Sequence, residues 1–219
     1  MEKVRKGKVK KGGFDEGWVE AMRDHDVPEW YIDSLAKIGY LFPKAHAVAY
    51  VMMAFRIAWF KVHRPLEFYS AYFYRRSQKD AFDAGMMLKG RDFVRRKINE
   101  IHTKSDATAK EEDLVTTLEA VYEFYMRGFE FAPMDLYECD ATRFLVVDDK
   151  RLRPPFVAIS GLGAAAANDL MSCREGGRRF ISVEELSLAC PKVSQAHIEQ
   201  LRATGALGDM PEESQMTLF

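Results

Sequence analysis

Cysteine is scarce in this 219-residue chain: Cys139, Cys173 and Cys190 are the three present, and they lie far apart. No C-x-x-C pair exists, so the spacing predicts no zinc site and no other metal site. An odd cysteine count without a signal peptide points to a reducing, cytoplasmic setting. Neither sign of charge is in excess, since 32 Lys and Arg stand against 33 Asp and Glu. Any basic footprint for nucleic acid must therefore be local. A long uncharged apolar run is missing too. Ala47–Phe55 is wholly apolar or aromatic but short, and Arg56 interrupts it, so no membrane partner is expected. A chain of this length holds one large domain or two small ones.

What is present is organised around Tyr40–His63. Its length, with its Ala and Met content, favours a helix over a strand. Pro43 suits the first helical position, and Arg64-Pro65 closes the segment because a residue before proline is pushed out of helical geometry. The helix is apolar nearly all round, which predicts deep burial. Lys44 and His46 sit in its first turn beside unpaired amides, an arrangement suited to an anion, phosphate above all. His46, Tyr50 and Met53 share a face. A self-capped core helix is the plainer reading of the same residues.

Before this stretch, Met1–Gly13 carries six Lys or Arg and three glycines. It reads as a flexible basic arm on a phosphate backbone or as a solvated terminus. Phe14–Gly39 reads as two helices broken near Val27-Pro28. Asp24-His25-Asp26 offers paired carboxylates, but at a helix end before a proline they suit caps and surface charge better than a rigid two-metal site. No catalytic residue is assigned. After it, Leu66–Gln78 reads as a packing helix with a basic end and Asp80–His102 as an amphipathic helix. Thr103–Lys110 is the best linker candidate, and Glu111–Arg127 is an amphipathic helix ended by Gly128. Phe144–Arg153 reads as a β-hairpin.

Val157–Ala166 is ambiguous. It matches a strand, a G-x-G-x-x-A turn and a helix, the dinucleotide-binding fingerprint, with Glu184 or Glu185 at about the right distance. Too little chain follows for a doubly wound half, and Ser182-Val183-Glu184-Glu185 reads as a capping box that opens a helix. The preferred reading is a helix-hairpin-helix, whose Gly161-Leu162-Gly163 turn aims backbone amides at a DNA phosphate. Pro191–Leu201 with Thr204–Leu207 looks like a second, degenerate copy. The fold class is thus mainly α (α+β overall): a helical portion, a small β-hairpin and a tandem helix-hairpin-helix domain.

Several separated stretches carry a family resemblance. Phe42-Pro43-Lys44-Ala45-His46-Ala47, Ile57–Pro65, Val4–Lys8 and His25–Ser34 resemble the fingers of bacterial replicative DNA polymerase III alpha subunits of the PolC type. Phe129–Pro133 resembles the extended strand that follows the Glu111–Arg127 helix in both branches of that family. Gln215-Met216-Thr217-Leu218-Phe219 resembles its sliding-clamp-binding pentapeptide, in which Gln215 would bond at a pocket rim and Leu218 and Phe219 would be buried.

The resemblance implies a C-terminal part of such a polymerase: fingers over 1–105, a duplex-binding domain over 106–210 and a clamp-binding tail over 211–219. It implies that Phe42, Lys44, His46 and Tyr50 border the incoming nucleotide and template. Lys6, Lys8, Gly161, Leu162 and Gly163 would touch DNA, and Gln215, Met216, Leu218 and Phe219 the clamp. The implied partners are primer-template duplex, an incoming deoxynucleotide, the clamp and the remainder of the polymerase chain. The chain is expected to begin mid-domain, to need no cofactor itself and to be inactive alone, with Mg2+ and the catalytic aspartates belonging to the complete enzyme. Two departures stand out: Cys139 where the family commonly has serine, and Asn168 and Asp169 where basic residues are common. A stand-alone clamp adaptor and, more remotely, an NAD-dependent oxidoreductase are the alternatives.

Overall fold

A computed structural model describes residues 2–78 and 81–214. The chain forms two compact units, Met1–Ala58 and Trp59–Phe219.

The first unit opens with two short helices, α1 (Glu2–Arg5) and α2 (Lys8–Gly12), then α3 (Trp18–Asp24) and α4 (Glu29–Lys37). The basic N-terminal stretch is therefore not a flexible arm. Val4 and Val9 alternate with its lysines and are buried with Leu35 against Phe14, Met22 and Ile38. Gly7 joins α1 to α2 with φ +68, and a Cβ there would lie 1.9 Å from the Gly39 carbonyl oxygen. Only glycine permits that turn and that approach. The break between α3 and α4 falls at Val27-Pro28, as expected.

Helix α5 (Lys44–His63) runs 20 residues, and the division between the two units falls within it. Pro43 caps it, its carbonyl accepting from the Ala47 amide. The expectation of deep burial is wrong: no residue of α5 is buried, with Phe55 73% and Trp59 53% exposed. Composition measures how much a helix gains from cover, and burial requires something to cover it. By length and composition alone α5 is apolar enough to cross a membrane.

The second unit has one dominant core. Arg64 leaves helical geometry (φ −139), and Pro65 starts α6 (Pro65–Ser77). A short α7 (Ala84–Met87) follows, and then α8 (Arg91–His102) packs on α9 (Ala109–Met126). Thr103–Thr108 is the turn between these two helices, not a domain linker. Thr108 and Glu111 form a full capping box at the start of α9. Tyr69 and Phe73 of α6, Phe124 of α9, Phe82 and Phe144 stack edge-on or tilted at centroid distances of 5.0–5.8 Å. At the basic end of α6, Arg75 is exposed and Arg76 packs inward. Arg76 donates through Nε to the buried Thr117 hydroxyl (2.7 Å) and pairs with Asp113 (2.8 Å).

Gly128, at φ +80, ends α9. Strand β1 (Glu130–Phe131) then pairs parallel with β3 (Arg151–Arg153), which pairs antiparallel with β2 (Leu145–Val146). The anticipated hairpin is thus the antiparallel half of a three-stranded sheet. Cys139 is fully buried, and its Sγ accepts from the Asp135 amide at 3.3 Å. Burial pushes its thiol up to about 11, so it acts as a small apolar core residue. Helices α10 (Ala164–Cys173), α11 (Val183–Ala189) and α12 (Gln195–Ala203) complete the unit, with Leu162, Leu170, Leu186, Ile198 and Leu201 in the same core as α6 and α9.

Candidate nucleic-acid interface

In the first unit, the residues singled out at the start of α5 do meet. The Phe42 ring lies 5.2 Å from the His46 ring and 5.8 Å from that of Tyr50, and the His46 and Tyr50 rings are 5.7 Å apart. The i, i+4 spacing of His46 and Tyr50 brings their rings to one face, and Pro43 turns Phe42 back onto that face. Tyr40 stacks on Phe42 at 5.9 Å, and the Arg5 guanidinium donates to the Tyr40 hydroxyl (3.3 Å) while lying 5.6 Å from its ring. The result is an exposed aromatic strip, with Tyr40 61%, Phe42 42% and Tyr50 51% exposed. Lys44 is the first residue of α5 and is exposed, two residues before His46. An ammonium, a helix start and flat ring faces together suit a phosphate joined to a base. Of the two lysines upstream, Lys6 sits 3.8 Å from Glu2, and Lys8 opens α2, exposed.

In the second unit, the Gly161-Leu162-Gly163 turn decides between the two sequence readings. Phe156–Ala158 forms a single 3-10 turn and not a strand, so the dinucleotide fingerprint lacks its required context. Gly161 takes φ +79 and is exposed, Leu162 is 2% exposed, and Gly163 is the N-cap of α10. The buried leucine anchors the turn while both glycines face solvent.

The second copy repeats this geometry. The Leu162 amide donates to the Ile159 carbonyl at 3.0 Å, and the Val193 amide to the Cys190 carbonyl at 2.9 Å. Val193 is buried like Leu162, and Ser194 caps α12 as Gly163 caps α10. The copies are joined by His197, whose Nε2 lies 3.0 Å from the Gly161 carbonyl oxygen. Because His197 Nδ1 accepts from the Ser194 amide (3.2 Å), the Nε2–H form donates to Gly161. Sequence reading overlooked this contact. Its signal was the Ser194-x-x-His197 spacing, a capping box with histidine in the place of Glu or Gln.

The three helix starts in this region differ in one respect. At α12, Ser194 and His197 satisfy each other in a capping box. At α11, the Ser182 hydroxyl accepts from the Glu185 amide, and the Val183 and Glu184 amides donate to the carbonyls of Pro211 and Glu212. The acidic segment after Gly208 is therefore docked as far as Ser214, whose hydroxyl bonds that of Ser182 at 2.7 Å. At α10, Gly163 offers no side-chain cap, and among the described residues its first-turn amides have no side-chain partner. Asn168 folds back onto the Ala164 carbonyl (2.8 Å), and the Asp169 carboxylate accepts from the Lys192 amide (3.0 Å). Neither adds a cation to the turn, so what these two residues leave there for an anion is backbone groups. Residues 215–219, with Gln215, Met216, Leu218 and Phe219, lie outside the described residues.

A family model described as a helix-hairpin-helix motif matches residues 128–216. Over its whole length the chain is 47% identical to the DNA polymerase III PolC-type of Halalkalibacterium halodurans, 49% to that of Bacillus cereus and 47% to that of Streptococcus pneumoniae. Each alignment covers all of this chain, which spans about 15% of the length of those relatives.

Proposed function

Because the chain belongs along its entire length to the PolC-type DNA polymerase III family, we propose that it supplies duplex grip and nucleotide positioning to a replicative DNA polymerase. The observation that carries the duplex reading is the open start of α10. It is the uncapped one of the three helix starts in the hairpin region, and its glycine turn is exposed. A turn that presents amides and little charge recognises the phosphate backbone and not the bases.

The aromatic strip of Phe42, His46 and Tyr50, with Lys44 at the start of the same helix, is the proposed nucleotide and template contact. The complete enzyme would join deoxynucleotides to a primer by phosphoryl transfer with two Mg2+ ions. The residues here do not fit those ions. Asp24 and Asp26 are exposed at the end of α3, and the one cluster of three metal-ligating groups among the described residues lies elsewhere. On this reading the catalytic ions belong to the complete enzyme, and the chain positions substrates. Its exposed apolar α5 supports the same reading: the cover for such a helix comes from the remainder of the polymerase chain. The tail from Gln215 is the proposed attachment to a sliding clamp.

The duplex reading is tested by Gly163→Ser. Gly163 has φ −70 and no atom within 4 Å of a built Cβ, so serine fits and reproduces the cap found at Ser194. The expected result is unchanged or slightly raised stability with at least tenfold weaker duplex binding by fluorescence titration, about the loss of one charge-assisted contact. Parent binding should fall with added salt along a shallow slope. Equal affinity of parent and variant would show that DNA does not approach through this turn.

A further inference from the structure

Helices α10 and α11 bring together three metal-ligating groups that are dispersed in sequence. Asp169 and Cys173 are four residues apart on one face of α10, and Cys190 follows the end of α11. One carboxylate oxygen and the two sulfur atoms all lie within 4.8 Å of one another. We propose that this cluster is a zinc site that clips the two hairpin copies together.

Four-coordinate zinc holds sulfur at about 2.3 Å and carboxylate oxygen at about 2.0–2.2 Å, which places neighbouring donors roughly 3.5–3.8 Å apart. The spacing here exceeds that by no more than a side-chain adjustment. Two sulfurs and one oxygen form a donor set that selects zinc over magnesium or calcium.

The surroundings support the cluster as a ligand set. The Lys192 amide donates to Asp169 Oδ2 at 3.0 Å, which orients the carboxylate. The Cys173 thiol donates to the Ala189 carbonyl at 2.9 Å beside the end of α11. Zinc binding would break this hydrogen bond as the thiol loses its proton, so the sulfur would turn from that carbonyl toward the metal. Cys190 is buried, while Asp169 and Cys173 are half-buried, so the site has a wall behind it and an open side for entry and for a water as fourth ligand. Binding replaces two S–H bonds by two Zn–S bonds and releases both protons to solvent, with no change of oxidation state. The clip would tie α10, which carries the open helix start, to the segment that begins the second copy.

The test uses the whole chain, freed of metal by a chelator and kept reduced, titrated with Co2+ as a spectroscopic probe and then with Zn2+. The expected result is one equivalent of Co2+ with a thiolate-to-cobalt charge-transfer band and intense visible bands of a tetrahedral site, both abolished by Zn2+. The unfolding temperature should rise with Zn2+. Cys173→Ser and Cys190→Ser should each weaken zinc binding by about a hundredfold or more, and Asp169→Asn by about tenfold. Cys139→Ser should leave the bands intact. Parent protein that shows no charge-transfer band at one equivalent would overturn the proposal, whatever the fate of the variants. So would a band that survives in a Cys173→Ser/Cys190→Ser double variant.

Discussion

At the scale of single residues, Lys44 and His46 show how position decides role. Lys44 stands at a helix start with its ammonium in solvent, and His46 makes ring contacts with Phe42 and Tyr50. Neither supports a core, so removing either should spare the fold. In the complete polymerase, Lys44→Ala and His46→Ala should each lower kcat/KM for nucleotide addition by about tenfold or more, the loss of one charge-assisted contact. Steady-state kinetics with unchanged constants in both variants would overturn the proposed nucleotide contact. His46 and Tyr50 were legible as partners because helical periodicity fixes an i, i+4 pair. The part of Phe42 follows from the Pro43 turn, which carries the chain back over the helix. The fit of Cys139 was legible as well, since a buried thiol substitutes for a small hydroxyl where a backbone amide still finds an acceptor.

At the scale of elements, most boundaries were written locally. Pro65, Gly128 and the break at Val27-Pro28 act through φ and through a missing amide, which need no distant partner. The start of α9 was equally local, in Thr108-Ala109-Lys110-Glu111, but its polar composition disguised a cap as a linker. The Thr108 amide and hydroxyl donate to Glu111 Oε2 at 2.8 and 3.0 Å, and Lys104 donates to Oε1 at 2.7 Å. The Lys104 hydrogen bond first, and the two from Thr108 next, pull the Glu111 carboxyl from 4.5 down to about 2. A carboxyl lowered on folding stabilises fully above its unfolded value and loses that contribution as pH falls through its folded value. The unfolding temperature of the parent should therefore fall relative to Glu111→Gln as pH goes from about 4.5 to about 2. Parallel curves for the two proteins, followed by circular dichroism, would assign the acid sensitivity to other groups. Thr108→Ala should cost about 1 kcal/mol at neutral pH, the usual loss of an N-cap.

At the scale of the whole molecule, α5 is the governing feature. Met52 and Phe55 lie in solvent at 51% and 73% exposure, in a chain that spans about 15% of its relatives. Replacing both with glutamate should leave the unfolding temperature of this chain nearly unchanged, within about 0.5 kcal/mol, and reduce its self-association in sedimentation experiments. In the complete polymerase the same pair should cost several kcal/mol by burying unpaired charge. A loss of stability already in the fragment would mean that α5 is packed here. The tail makes a second prediction at this scale. A peptide spanning Gln215–Phe219 should bind a bacterial sliding clamp only in the micromolar range, about −8 kcal/mol at most, because it is ordered on binding. Leu218→Ala and Phe219→Ala should each cost about 2 kcal/mol or more. Calorimetry that detects nothing at hundreds of micromolar would take the clamp off the list of partners.

By itself the sequence determined what acts over a few residues: the helical class, the breaks at Pro65 and Gly128, the glycine turn at Gly161–Gly163 and the copy that follows it. These depend on backbone geometry and side-chain period, which are properties of neighbours along the chain. The sequence also carried the family, through separated matches that no local rule explains. Only the tertiary structure decided the rest. It left α5 uncovered, folded the basic N-terminus around Val4 and Val9, and joined β1 to β3 across the hairpin. It also strapped residues 211–214 onto α11 and gathered Asp169, Cys173 and Cys190 into one cluster. Each of these depends on which surfaces meet across long stretches of chain. Burial, pairing and ligand geometry are relations between distant residues, and periodicity is blind to them.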